Sequence, residues 1–149
     1  MVVVGLVVTL RVLVPVDGSP PADRALEYAL ETFTDATITT IHVIDPIDSV
    51  YAAEVGGLPV ADEWYDDAQE RATEIHAEAE ERADEFSGEV ETVTEVGRPA
   101  RTILRYADEH DIDQIIIGSH GRQGIERVVL GSVAEKVVRR AGVPVTVVE

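Results

Sequence analysis

Between Gln114 and Ala141 the chain reads as strand, glycine-rich loop and helix, and few folds accommodate that order. Gln114 to Ile117 ends in three isoleucines, Gly118 to Ser132 reads G-S-H-G-R-Q-G-I-E-R-V-V-L-G-S, and Val133 to Ala141 has a helical pattern. A strand running through glycines into a helix is how a parallel α/β sheet turns backbone N–H groups toward an anion at the carboxyl ends of its strands. Gly118, Gly121 and Gly124 omit Cβ at every third position, so the backbone can approach a phosphate closely. Gly131 and Ser132 open the helix, and Ser132 can either cap it or offer its hydroxyl and N–H to a phosphate oxygen. The loop is neither of the two commonest glycine motifs. A P-loop needs a lysine before the Ser/Thr, and Ser132 follows Gly131; a dinucleotide fingerprint is G-x-G-x-x-G after a first strand, and here G-x-x-G-x-x-G follows a late one.

The rest of the chain supplies the sheet that such a loop requires. Arg11 to Val16 is a short apolar run of the kind that forms a buried parallel strand. Asp17-Gly18-Ser19 is a turn, and Ser19 before Pro20-Pro21 reads as an N-cap and first helical turn, with the helix continuing to about Phe33. Ala36 to Ile44 is a second strand rich in Thr, Ile and Val. Asp45 to Ala61 is long for a connection and carries a Gly56-Gly57 pair, the profile of a lid or binding loop. A long helix over Asp62 to Phe86 puts Trp64, Ala68, Ala72, Ile75, Ala79, Ala83 and Phe86 on one stripe, with acids and arginines elsewhere. Val90 to Val96 alternates as a half-exposed strand near an edge; Pro99 to His110 is a helix; Asp113 to Ile117 and Val143 to Val148 are the fourth and fifth strands. Strand and helix therefore alternate, which predicts an α/β fold: one doubly wound domain with a five-stranded parallel sheet and helices on both faces.

Composition bounds the function. A chain of 149 residues is long enough for one domain with a full core. It has no cysteine, which excludes disulfides, thiol nucleophiles and Cys-ligated zinc. The formal net charge is −17, and of 12 basic residues only Lys136 is a lysine. Such a surface repels nucleic-acid phosphates and suits a cytoplasm rich in salt, where charges are screened over a few ångströms, the alternative being an ordinary acidic protein. Met1 to Leu10 is apolar, but the run through Val16 is too short and too interrupted for a bilayer span, and it lacks the basic start and cleavage site of a secretory signal. The expectation is a cytoplasmic protein without membrane or nucleic-acid partners.

The loop has a further regularity. Gly118 and Gly121, then the nine residues Arg122 to Leu130, then Gly131 and Ser132, match without a gap the G-x-x-G, nine residues, G-S/T of the ATP-binding members of the universal stress protein family, which the chain resembles from Arg11 to Val148. The resemblance implies that residues 1–10 are an N-terminal extension of a domain over 11–149, as a misassigned start or an added strand. It implies strand order 3-2-1-4-5, with strands one and four meeting where ligands bind. It implies that Asp17, in V-P-V-D-G-S, lies near adenine and ribose, with Pro15 and Val16 flanking the base. It implies that the Val43 backbone reads the adenine edge and that Gly118, Ser119, His120, Gly121, Arg122, Gly131, Ser132 and Val133 surround the phosphates. It further implies a homodimer joined through the C-terminal strand, acting as a nucleotide-dependent stress sensor or regulator, with scope for a further protein partner.

The residues read alone leave humbler roles open. Asp17 can simply bond its own turn, Val43 is also a core valine, and His42, on the opposite face from Val43, reads as structural. The Arg122 fork suits phosphate oxygens, with Arg127 a weaker candidate. His120 is a candidate base, but no recognised motif pairs it with a nucleophile. His76 and His110 have no metal-ligand spacing, so Mg²⁺ or Mn²⁺ is expected only as a companion of ATP. Gly97-Arg98-Pro99 reads as a turn and helix start. No strong hydrolytic apparatus is visible; slow ATP hydrolysis or none is expected. A dimeric interaction protein of this fold without nucleotide, or a nucleotide-hydrolysing enzyme, are the alternatives. The charge itself makes a prediction. With 29 acidic side chains repelling one another, the melting temperature should rise markedly between dilute buffer and molar KCl; a melting temperature that stays constant in a salt titration would refute the high-salt reading.

Overall fold

Every strand in the middle of the sheet must bury both of its faces, and the sequence meets that demand by alternating partners. The computed structural model describes residues 9–47, 61–120 and 130–149. Along them run β1 (Arg11–Pro15), α1 (Pro20–Thr32), β2 (Thr37–Ile44), α2 (Ala61–Glu85), β3 (Val90–Val96), α3 (Pro99–Glu109), β4 (Gln114–Gly118), α4 (Ser132–Arg140) and β5 (Val145–Val148). The sheet is parallel throughout, in the order β3-β2-β1-β4-β5. Val12, Val14, Val16, Ile38 and Ile116 turn to one face and pack on Ala25, Leu26, Ala29 and Leu30 of α1 and Ile75, Ala79 and Ala83 of α2. Leu13, Ile41, Ile115 and Ile117 turn to the other and meet Ala100, Ile103, Tyr106 and Ala107 of α3 and Ala134 and Val137 of α4. Two cores back to back, with helices on both faces, are the doubly wound architecture expected from the alternation.

Helix ends follow local chemistry. Ser19 is the N-cap of α1: its side chain accepts from Ala22 N at 3.4 Å, and prolines fill the positions where no intrahelical donor is needed. Gly18 takes a φ of +80°, a conformation that favours glycine. The start of α4 differs from expectation. Its N-cap is Gly131, with no side-chain cap, and Ser132 is already the first helical residue. β5 is also shorter than predicted, because Val143 and Pro144 only lead into it and Pro144 has no N–H for the ladder. β3 is half-exposed, as its alternation predicts, and lies at one edge, with β5 at the other. On the outer side, Arg82 of α2 reaches α1 and donates to Glu27 at 2.6 Å and Asp23 at 3.0 Å.

Gly118 closes β4 for a reason the motif does not reveal. A Cβ there would lie 2.7 Å from the Pro21 carbonyl carbon and 2.8 Å from Ala22 N. The glycine lets the first turn of α1 rest on the end of β4, so its role is backbone packing between elements distant in sequence. Backbone cannot move aside as a flexible side chain can. Gly118→Ala is therefore expected to destabilise the fold by about 1–3 kcal/mol, in the range for overpacking, and thermal unfolding should show a fall of several degrees. A melting temperature equal to wild type would show that α1 is not seated on this backbone.

Candidate functional site

β1 and β4 are neighbours, yet the chain leaves them toward opposite sides of the molecule, so the space beyond their carboxyl ends is not filled by a connection. A cleft of about 530 Å³ opens there. Pro15, Val16 and Asp17 border it from β1, Val43 from β2, Gly118 and His120 from β4, and Gly131, Ser132 and Val133 from the start of α4. Nine of the twelve residues singled out from the sequence thus meet around one space. Ser119 is beside it but buried, and Gly121 and Arg122 lie outside the described residues, as do Gly124, Arg127, most of the Asp45–Ala61 loop and residues 1–8 of the predicted extension.

The cleft also has walls that sequence motifs did not mark. Ile41, His42, Asp45, Pro99 and Ile103 line it. Asp45 accepts from Ile47 N at 2.9 Å and faces the Arg98 guanidinium at 3.8 Å, which ties the end of β2 to the start of α3. Gly97-Arg98-Pro99 does serve as the turn into α3, with Arg98 as N-cap, and through Pro99 it also shapes the cleft. Ile103 is buried on α3, and only the packing of α3 against β2 shows what it faces.

The polar groups are arranged in two sets. On the β1 side, Asp17 Oδ1 accepts from Ser19 N at 3.0 Å, the local turn expected of it, and Asp17 also borders the cleft. On the β4 side, Gly131 N donates to Ser119 O at 2.6 Å, and a Cβ on Gly131 would come within 3.1 Å of His120 Cα. This brings the first turn of α4 against the end of β4. The early N–H groups of a helix have no carbonyl partner within it, and α4 has no side-chain cap. Ser132, Val133 and Ala134 therefore present donors at the positive end of a helix dipole, an arrangement suited to an anion. Ser119 bonds His120 Nδ1 at 3.0 Å, so His120 does have a hydroxyl partner, adjacent in sequence.

The histidines beneath the sheet are held by the fold. His42 Nδ1 donates to Val16 O at 2.9 Å, a structural role as expected, although His42 also borders the cleft. Its ring is edge-on to His76 of α2, with centroids 6.4 Å apart. His76 Nε2 bonds the Thr94 hydroxyl at 2.7 Å, while its Nδ1 is buried without a partner. Among the described residues no group of three or more His, Cys, Asp or Glu could hold a metal ion, and no helix is long and apolar enough to cross a membrane.

Comparison with known proteins decides the family. The sequence profile of the universal stress protein family matches residues 9–149. The chain belongs to that family. A universal stress protein of Methanocaldococcus jannaschii is 31% identical over 144 residues, covering 93% of this chain and 81% of the relative. Among solved structures, the universal stress protein UspA of Lactobacillus plantarum superposes with a TM-score of 0.78 at 30% identity, covering 97% of this chain and 100% of the other. A universal stress protein in complex with cAMP gives 0.70 at 26% identity, covering 94% and 97%. One from Archaeoglobus fulgidus in complex with dAMP gives 0.68 at 25%, covering 97% and 100%.

The environment of His76 sets a pH dependence. Burial, then the neighbouring His42, pushes its pKa below the ordinary histidine value, with Glu80 opposing. A depressed folded pKa means that the unfolded chain binds the proton more readily. The stability this group contributes is present above its unfolded pKa and is lost as pH falls through the lower folded value. His76→Gln cannot titrate. Relative to that variant, wild type should lose melting temperature on acidification from neutrality through the ordinary histidine range. Parallel pH profiles for the two proteins would contradict the assignment.

Proposed function

We propose that the cleft binds ATP and that the protein works as a nucleotide-dependent sensor or regulator in the stress response, in a salt-rich cytoplasm. The observation that carries this reading is the uncapped start of α4 facing the residues Asp17 and Val43 across one cleft. Its volume falls within the roughly 300–1,000 Å³ of small-molecule sites. The nucleotides in the two complexes named above, cAMP and dAMP, support adenine nucleotides as the ligand class.

In this reading Pro15, Val16 and the Val43 backbone hold the base and Asp17 the ribose. The N–H groups of Ser132 and Val133 hold phosphate oxygens, with Gly121 and Arg122 completing the loop. Mg²⁺ or Mn²⁺ would be carried mainly by the phosphates. Binding rather than turnover is the proposed activity. β5, as a sheet edge, is the proposed contact of a homodimer, since an exposed edge strand invites pairing and a two-fold contact is the commonest symmetry. Sedimentation of the intact chain as a monomer in high salt would reject that assembly.

Titration calorimetry with Mg-ATP in high salt tests the ligand. Ser132→Pro removes one backbone donor at a position where helices accept proline, and the extended ψ of 164° at Gly131 suits a residue before proline. Loss of one charge-assisted hydrogen bond, about 1.5–3 kcal/mol, should weaken ATP roughly 10- to 150-fold, whereas Ser132→Ala should cost less. Asp17→Asn keeps the turn acceptor and should weaken ATP while sparing inorganic triphosphate. Wild-type protein, stripped of ligand, that takes up no ATP would overturn the proposal.

A further inference from the structure

The bond between buried Ser119 and half-buried His120 carries information beyond the motif in which both residues lie. Ser119 is 3% exposed, and each of its polar groups is engaged. Its N–H donates to Val148 O at 2.7 Å, its carbonyl accepts from Gly131 N at 2.6 Å, and its Oγ lies 3.0 Å from His120 Nδ1. The residue is thus fixed between β5 and the start of α4. Its hydroxyl has one hydrogen to place and, among the described residues, no acceptor other than Nδ1. A buried hydroxyl that donates nowhere is unfavourable, so the hydrogen goes to Nδ1. Nδ1 is then the unprotonated nitrogen of a neutral imidazole, and the ring proton resides on Nε2.

His120 borders the cleft, beside the open start of α4. No described residue takes its Nε2. Among the described residues Nε2–H is therefore open to a ligand, next to the backbone donors of Ser132 and Val133. We propose that Ser119 acts as a positioning residue that locks His120 in the Nε2–H tautomer, and that His120 uses this N–H as a side-chain donor to a phosphoryl oxygen of the bound nucleotide. The inference rests on the nucleotide reading and deepens it. It assigns His120 a hydrogen-bond donor's role in place of the general base that a bare His in a loop suggests, because the nitrogen facing the ligand already carries its proton.

Geometry makes the variants informative. The amide nitrogen of glutamine reaches the place of Nε2, whereas that of asparagine reaches only the place of Nδ1. In calorimetric titrations of ligand-stripped protein with Mg-ATP, His120→Ala and His120→Asn should weaken binding roughly tenfold to a hundredfold, the loss of one hydrogen bond to a charged acceptor. His120→Gln should stay within a few-fold of wild type. Adenosine, which has no phosphate, should bind all four proteins alike. Nitrogen NMR of the histidine side chains, at mildly alkaline pH, should show the Nε2–H tautomer for His120 in ligand-free wild type and a shift toward a mixture in Ser119→Ala. An Nδ1–H tautomer in wild type overturns the role of Ser119. ATP binding by wild type that His120→Ala leaves unchanged, or that His120→Gln loses as fully as His120→Asn, overturns the phosphate contact alone. Absence of ATP binding by wild type overturns the nucleotide reading and the contact with it.

Discussion

The central parallel pair, β1 beside β4, is the constraint on which the rest depends. Their registered pairs are only Val12–Gln114 and Leu13–Ile115, whereas β1 and β2 register from Arg11–Thr37 to Pro15–Ile41. β1 runs on to Pro15 and β4 to Gly118, and from there the chain turns to helices on opposite faces, so the cleft lies beyond the carboxyl ends of this pair. Holding the pair together at its base are Arg11, which accepts at its carbonyl from Asp113 N at 2.8 Å and donates through Nε to His110 O at 2.9 Å, and the buried isoleucines of β4. Leu13, with none of its surface exposed, belongs to the same core as the cleft-lining Ile41, Ile103 and Ala134; truncating such a residue typically costs about 2–5 kcal/mol. The site is therefore not an addition to the fold. It is the place where the sheet changes direction, furnished with helix N-termini.

Much of this was legible because burial on both faces leaves a plain mark. Short apolar runs such as Val12–Leu13–Val14 and Ile115–Ile116–Ile117 can hardly be anything but central strands once turn residues bound them. Pro20-Pro21 after Ser19 fixed the start of α1 to the residue. Helix ends without such punctuation shifted: glycine can cap as well as serine, so the boundary at Gly131-Ser132 could fall on either. The site divides similarly. Of the motif's described residues, Gly118, His120, Gly131, Ser132 and Val133 were brought together, because sheet topology carries them there. Asp45, Pro99 and Ile103 were not foreseen as walls, because their place depends on how α3 packs against β2, and no local pattern encodes that.

Gly118 and Ser119 show the limit most clearly. A glycine in a motif reports that something lies close to its backbone; whether that neighbour is a phosphate or a proline from another helix is a tertiary fact. The Ser119–His120 bond, between adjacent residues, is equally silent in sequence. It depends on Val148 and Gly131 holding the Ser119 backbone, and those lie on a strand and a helix that arrive later in the chain.

The bridge between the two helices on one side of the sheet has a consequence for how such an acidic molecule tolerates its surroundings. Arg82 holds Asp23 and Glu27 with side chains about a third exposed or less. Ions that quiet repulsion along the outer face of α2 act most strongly on charges in open water and less on a pair partly withdrawn from it. Raising the ionic strength therefore removes an opposing force faster than it loosens this fastening. A chain with few cations can place one where electrolyte reaches it poorly, and so keep the bond between α1 and α2 under conditions that dissolve most surface pairs.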